Sequence, residues 1–406
     1  MARARILVVP SWYPSEASPV EGIFIEDQVR VLSSLYDVAV LVPRVAAFRG
    51  WWSAADRQGT DIETRDGVTV VRADARSRVP RSTRASLRAE FRAANEGFHR
   101  LLGGWGRPDL IHAHVVLPAG WVAAKLGRSH GIPVVLTEHS SPFTMHLGSR
   151  WQRARVKESL SGCQAVIAIG EGLAAQIRDM GYQGRVQVIG EVVDVPEPSE
   201  IRPLRPPPPP GRTRLAFVGM LREQKGVSFL LRALAQLTQG GLDADLVIAG
   251  DGPLRGRLER EAIDLGLERR CHFLGLLSRP GVYGLLVVSD LLVVPSLHET
   301  FCVAAAEALA CGIPVVTTRC GGPEGFVTPE CGSTVNPGDA GALAVGIRDV
   351  ISRPQCFDRA EMRRAILDRF GSAAFRAAIN EVYSSVLTET EHRGVGIGSP
   401  ALAWRG

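Results

Sequence analysis

Two glutamates, Glu299 and Glu307, stand in the stretch PSLHETFCVAAAEALACGIPVV, residues 295–316, with seven mostly small or apolar residues between them. Glutamate is rarely buried unless it is paired or bound to something. A carboxylate repels phosphate but accepts hydrogen bonds from sugar hydroxyls. The stretch follows DLLVVPS, which reads as a strand, and its pattern predicts a helix from near Thr300 to Cys311 with Gly312 just past the end. The first turn, Thr300 to Val303, would then offer unsatisfied backbone N–H groups and a positive dipole end, a site for phosphate. Eight helical residues place Glu307 about 80° round and about 12 Å along from Glu299. That spacing suits an elongated ligand: a sugar at Glu299, a diphosphate over the helix start, a ribose near Glu307. The competing reading, an exposed face with two solvated glutamates, fits poorly with Ala304 to Ala306 and the apolar flanks.

Other residues could join such chemistry. Lys225, in LAFVGMLREQKGVSFLLRAL, follows a strand, where an ammonium can neutralise a departing diphosphate; taken alone it is a surface lysine at a helix start. Gly22, in PSWYPSEASPVEGIFIEDQ, falls at a loop-to-helix junction where backbone can approach a ligand. Trp12 and Tyr13 suit a sugar stack or the core equally. IHAHVVLPAG and VVLTEHSSPF each put histidine at a strand end. His112 and His114 alternate along their strand and are expected on opposite faces, so not in one site. The seven cysteines are odd in number and lack C-x-x-C spacing. Cys302, Cys311 and Cys320 are therefore expected as buried free thiols, with no zinc site, no disulfide framework and no metal.

The elements that must position these groups come in two runs. RILVVPS, DVAVLVP, VTVVRA, PDLIHAH, IPVVLTEHSS and QAVIAIG read as strands alternating with helical stretches such as GIFIEDQVRVLSSLY and EGLAAQIRDMG. RLAFVG, DLVIAG, CHFLG, DLLVVPS and IPVVTT repeat the alternation after PEPSEIRPLRPPPPPGRT. Apolar strands alternating with helices imply parallel sheets covered on both faces. Successive prolines favour an extended linker. The expected organisation is an N-terminal Rossmann-like domain over 1–196, a linker over 197–212, a second Rossmann-like domain over 213–375, a C-terminal helix over 376–390 packing back on the first domain, and a flexible tail over 391–406. Two doubly wound domains facing a central cleft bind ligands beyond the carboxyl ends of their strands, where the residues above fall.

The chain has 406 residues and a net charge of +5. That excess suits an anionic small substrate or peripheral association with the inner face of a membrane, and is too small to argue for nucleic acid. The run Ile6–Val9 is too short for a signal-peptide core, and no stretch reaches the roughly 18 apolar residues of a membrane span. A cytoplasmic protein is expected.

The motifs together resemble the family 4 glycosyltransferases. PSLHETFCVAAAEALACGIPVVTTRCGGPEGFV is similar to their E-x7-E segment, LAFVGMLREQKG to their V-G-R-L-x-x-x-K-G segment, and PSWYP…G-x-F to enzymes of surface polysaccharide and lipopolysaccharide assembly. The resemblance spans about residues 5 to 388. It implies a GT-B fold and a retaining enzyme that moves a hexose or N-acetylhexosamine from a nucleoside-diphosphate sugar to an acceptor hydroxyl, without a metal cofactor. The acceptor would be a sugar, a lipid-linked sugar or a small molecule. Glu299 would bind donor-sugar hydroxyls, and Glu307 the ribose. Backbone at Phe301, Cys302 and Val303 would hold the diphosphate, with Gly22, Gly219 and Lys225 also donor-binding, and Glu324 would shape the site. His139 matches the histidine that reaches the donor sugar across the cleft; His114 matches the family's H-x-H and is expected to be structural. Met220 stands where the family carries arginine, with Arg222 as the candidate substitute. Glu299, His139 and Lys225 form the expected catalytic set. The alternatives are a non-catalytic nucleotide-sugar-binding subunit, a transferase acting on a small secondary metabolite, or a GT-B sugar epimerase. A nicotinamide-dependent dehydrogenase needs G-x-G-x-x-G between a strand and a helix; the nearest match, GVGIG from Gly394, follows no strand.

Overall fold

A computed structural model describes residues 3–16, 18–46, 59–76 and 82–393. The chain divides into two compact units, one formed by Met1–Val192 with Arg376–Gly406, the other by Val193–Phe375.

The first unit carries β1 (Arg5–Pro10), β2 (Asp37–Ala46), β3 (Thr60–Arg65), β4 (Val68–Arg76), β5 (Leu110–His114), β6 (Val134–Glu138), β7 (Ala165–Ala168) and β8 (Val186–Val188). Their order in the sheet is β3-β4-β2-β1-β5-β6-β7-β8. Every pairing is parallel except β3 with β4. Helices α1 (Ile23–Ser33), α2 (Thr83–Gly104), α3 (Trp121–His130), α4 (Arg150–Ser161) and α5 (Glu171–Asp179) separate the strands. β5, β6 and β7 are buried along their whole length, as the apolar runs require of strands covered on both faces. β3 is the exception: TDIETR is exposed along most of its length and forms a hairpin through Asp66 and Gly67, both at positive φ (49° and 80°). An Asp-Gly pair in a two-residue hairpin loop is the primed-turn signature.

The second unit carries β9 (Thr213–Val218), β10 (Ala244–Ala249), β11 (Cys271–Gly275), β12 (Leu291–Val294), β13 (Val315–Thr318) and β14 (Gly332–Val335), ordered β11-β10-β9-β12-β13-β14 and all parallel. The helices α6 (Val227–Gln239), α7 (Arg255–Asp264), α8 (Arg279–Leu286), α9 (Val303–Ala310), α10 (Ala340–Ser352) and α11 (Arg359–Phe370) cover it. In α6 the residues Val227, Leu230, Leu231, Leu234 and Leu237 repeat at helical spacing and are all buried in the core with Leu215, Leu246 and Ile248 of the sheet. Each such leucine contributes about 1.5–3 kcal/mol by burial. The strand order reverses between β9 and β12, the switch point where ligands of doubly wound sheets bind.

The polyproline stretch belongs to the second unit by its contacts. The Leu204 N–H donates to Gly284 O (2.9 Å) and Arg214 to Pro206 O (2.7 Å). α12 (Ser372–Arg393) closes the chain, and the division between units falls within it. From Arg376 onward it belongs with the first unit: Tyr36 Oη donates to Asn380 (2.6 Å). The tail from Gly394, including GVGIG, lies outside the described residues. Among the described residues no helix is long and apolar enough to cross a membrane.

Candidate active site

In the second unit the loops after β9 and β12 interlock. A Cβ at Gly226, which sits at φ 65°, would collide with the Pro295 carbonyl oxygen. The Leu297 N–H donates to Gln224 O (2.7 Å). This contact brings Lys225 Nζ to Glu299 Oε1 at 2.6 Å. Ser296 Oγ donates to the same oxygen (2.7 Å), and the Glu299 N–H donates to Cys320 O (2.9 Å). Glu299 is 7% exposed. Burial works against the Lys225 ammonium, but the Glu299 carboxylate outweighs it and raises the lysine above its ordinary value. Lys225 is thus held as the ammonium against the carboxylate group, with its side chain still 25% exposed.

The helix after Glu299 starts later than the spacing predicts. Cys302 sits at φ 75°, ψ 77°, a left-handed conformation that cannot lie inside a right-handed helix, so α9 begins at Val303. Thr300 and Phe301 belong to the preceding loop, and the helical estimate of 80° and 12 Å between the glutamates does not apply. The Phe301 ring turns into an aromatic cluster with Phe370 (4.9 Å between centroids) and Phe326 (5.3 Å), which leaves backbone as what this residue can offer a ligand. Gly321 and Gly322 lie so close to Glu299 and Phe301 that a Cβ would come within 2.9 Å of Glu299 O and 2.6 Å of Phe301 N. Glu324 Oε1 accepts from the Gly321 N–H (2.7 Å) and so ties down this turn.

Glu307, buried on α9, accepts on Oε1 from both Nε (3.2 Å) and Nη2 (3.1 Å) of Arg279 and from Tyr283 Oη (3.3 Å). Arg279 and Tyr283, both on α8, are partners of Glu307 that sequence reasoning missed. Met220 and Arg222 are both exposed.

In the first unit, Glu138 at the end of β6 accepts three backbone N–H groups: Val116 (2.6 Å), His139 (2.9 Å) and Ser140 (2.7 Å). This fixes the loop that carries His139. The His139 ring lies between two partners: Nδ1 is 2.6 Å from Glu191 Oε1, and Nε2 is 2.9 Å from His114 Nδ1. Gln28 Nε2 donates to the other Glu191 oxygen (2.8 Å). His112 and His114 do not point to opposite faces. Residues two apart on a strand share a face, and their rings lie 4.2 Å apart. His112 Nε2 meets Thr137 Oγ1 (2.7 Å) and its Nδ1 meets Tyr383 Oη of α12 (2.6 Å). Burial pushes His112 down to about 3 and His114 well below the ordinary histidine value, with repulsion from the neighbouring histidines adding to it.

Gly22 caps α1 at φ 72°, and a Cβ there would collide with the Trp12 carbonyl oxygen. The close approach this glycine permits is to the chain's own backbone. Tyr13 is buried, with the Arg72 guanidinium 5.9 Å from its ring centroid. Gly219 N–H donates to Ala249 O (3.0 Å), joining the ends of β9 and β10. The seven cysteines are unpaired; five are buried, Cys302 is half-buried and Cys356 exposed. Burial pushes the Cys311 and Cys320 thiols up to about 12. Among the described residues no group of three or more His, Cys, Asp or Glu is arranged to hold a metal ion.

Known proteins share this sequence and fold. Residues 204–368 match the family described as Glycosyl transferases group 1, and residues 24–197 that described as Glycosyltransferase Family 4. A GDP-mannose-dependent alpha-(1-6)-phosphatidylinositol dimannoside mannosyltransferase of Mycobacterium tuberculosis is 40% identical over 156 residues, 38% of this chain and 40% of that protein's length. A D-inositol 3-phosphate glycosyltransferase of Catenulispora acidiphila is 30% identical over 328 residues, 74% of this chain and 77% of that one. The solved structure of a sucrose-phosphate synthase from Thermosynechococcus elongatus superposes with a TM-score of 0.77 at 21% identity, covering 95% of this chain and all of that one.

Proposed function

The chain belongs to glycosyltransferase family 4, as a retaining, nucleotide-sugar-dependent transferase of the GT-B fold, and from that premise we propose that the second unit binds the donor through Lys225, Glu299 and Glu307. Lys225 neutralises the diphosphate as the glycosidic bond breaks. Glu299 holds hydroxyls of the donor sugar, and backbone from Phe301 to Val303 lies along the diphosphate. Glu307, steadied by Arg279 and Tyr283, accepts from the ribose hydroxyls. The single observation that carries this reading is the 2.6 Å Lys225–Glu299 contact at the switch point of the second sheet. It puts a cation for phosphate and an acceptor for sugar side by side. His139 completes the set by its match to the family histidine.

We further place the acceptor among lipid-linked or cell-surface glycans, handled at the inner face of the membrane. The support is the mycobacterial relative, a mannosyltransferase of phosphatidylinositol dimannoside. A thermal-shift screen of GDP-mannose, UDP-glucose, UDP-N-acetylglucosamine and ADP-glucose tests the donor assignment. A donor at 100 times its Kd stabilises the fold by about 2.7 kcal/mol. Slow release of free sugar without acceptor separates a transferase from a subunit that only binds. No shift with any of the four donors would overturn the reading.

A further inference from the structure

Glu191 is 3% exposed and is held by one amide, Gln28, and one imidazole, His139. Among the described residues no lysine or arginine pairs with it. A carboxylate this buried costs free energy unless it is paired and hydrogen-bonded, and the fold keeps one here, 52 residues from the histidine it meets, which is a cation only when protonated. An ionised carboxylate only accepts, so the proton between them sits on His139 Nδ1. At Nε2 two arrangements are open. Either His114 Nδ1–H donates to a bare His139 Nε2 and the His139 ring is neutral, or an Nε2–H of His139 donates to a bare His114 Nδ1 and the His139 ring is an imidazolium, since its Nδ1 also holds a proton. His114 is fully buried, and its far nitrogen, Nε2, has no hydrogen-bond partner. The negative charge of Glu191 acts directly on this balance. The Phe24 ring lies 5.0 Å from the His139 ring, and the two side chains of the pair are 1% and 3% exposed, which leaves that charge little screened.

We propose that Glu191, with Gln28 behind it, is a positioning residue for sugar transfer: it fixes the His139 ring and its tautomer through Nδ1. The inference rests on the assignment of His139 to the catalytic set, and goes beyond it by naming the residue that sets the state of that histidine.

The test is a double-mutant cycle on sugar release from GDP-mannose and from UDP-glucose, using His139→Ala, Glu191→Gln and the pair. Glu191→Gln is expected to lower kcat roughly 10- to 100-fold with donor KM within about twofold, and to add little in the His139→Ala background. A wild-type kcat in His139→Ala would remove the histidine from the catalytic set and the inference with it, while leaving the Lys225–Glu299 donor site standing. A lowered kcat in His139→Ala beside a wild-type kcat in Glu191→Gln would overturn the inference alone. So would a Glu191→Gln loss that persists in full without His139. The wild-type protein supplies a second readout that needs no folded variant. Nitrogen-15 spectra of the labelled imidazoles should show His139 Nδ1 protonated, and a bare Nδ1 would overturn the proposal.

Discussion

The two regions proposed to carry the chemistry solve the problem of buried charge in opposite ways. In the second unit each buried glutamate faces a cation, Glu299 with Lys225 and Glu307 with Arg279, and both cations keep part of their surface in solvent. In the first unit Glu191 faces an imidazole and an amide, and the ring and carboxylate side chains are 1% and 3% exposed. A partly exposed ion pair can be reorganised by an incoming polar ligand, because its partners exchange one set of hydrogen bonds for another. A sealed carboxylate–imidazole contact cannot be exchanged in that way; it can only hold a ring and tune it. The first arrangement suits binding, the second suits positioning.

The largest effect that would sharpen this contrast is at the exchangeable pair. Glu299→Gln and Lys225→Ala should each lower kcat by about 10²–10³, the usual cost of losing one electrostatic group at the reacting centre. Glu299→Gln should move the melting temperature little, because the Lys225 side chain is 25% exposed and can be solvated, whereas Lys225→Ala leaves Glu299 buried without its cation and should also cost some stability. Steady-state kinetics beside calorimetric melting would check both halves. A large stability loss with normal turnover would make the pair structural and dissolve the comparison.

Next in size are the variants around Glu307. Glu307→Ala should weaken donor binding by about 1.5–3 kcal/mol, the worth of one charged hydrogen-bonding group. Arg279→Ala should do comparable harm by leaving the carboxylate buried and unpaired. Titration calorimetry with GDP-mannose and UDP-glucose measures both. Equal affinities in wild type and Glu307→Ala would remove the ribose role.

The sealed region should instead show itself through pH. His112 titrates at about 3 in the fold and near 6.5 when unfolded, and His114 is lowered as well. Between those values the unfolded chain binds more protons, so stability rises with pH there. The contribution is fully present above about pH 6.5 and is lost as pH falls toward about 3. Tyr383→Phe, which strips His112 Nδ1 of its partner, should cost about 1–3 kcal/mol at neutral pH. Urea titrations at stepped pH read both effects, and a flat profile from 6.5 to 4 would contradict the burial argument.

The smallest effect is expected at Arg222. It is exposed, and Arg222→Ala should leave kcat and KM within about twofold. A deep loss there, non-additive with Lys225→Ala, would mean that this arginine stands in for the cation missing at Met220.

How legible each region was follows from where its partners lie in the chain. The GT-B class, the parallel sheets and the glutamate segment could be read because a strand, a loop and a helix within about 20 residues contain them. Helix α9 was misplaced by three residues because nothing in ETFCV marks Cys302 as left-handed. The edge strand β3 went unread because TDIETR buries almost nothing, although the Asp66-Gly67 turn was there to signal a hairpin. The partners of His139 were invisible for a different reason. Gln28 and Glu191 are 163 residues apart, and only the closed sheet brings them together. The misjudged faces of His112 and His114 came from applying the two-residue period of a strand with the wrong sign, not from any peculiarity of the fold.

The central claim is that the second unit holds the donor at the Lys225–Glu299 pair. Titration of GDP-mannose and UDP-glucose into wild-type and Lys225→Ala protein tests it most directly. The account predicts that the donor bound by the wild type binds the variant at least roughly tenfold more weakly, the loss of one charge-assisted contact to the diphosphate. An unchanged Kd in Lys225→Ala would contradict it.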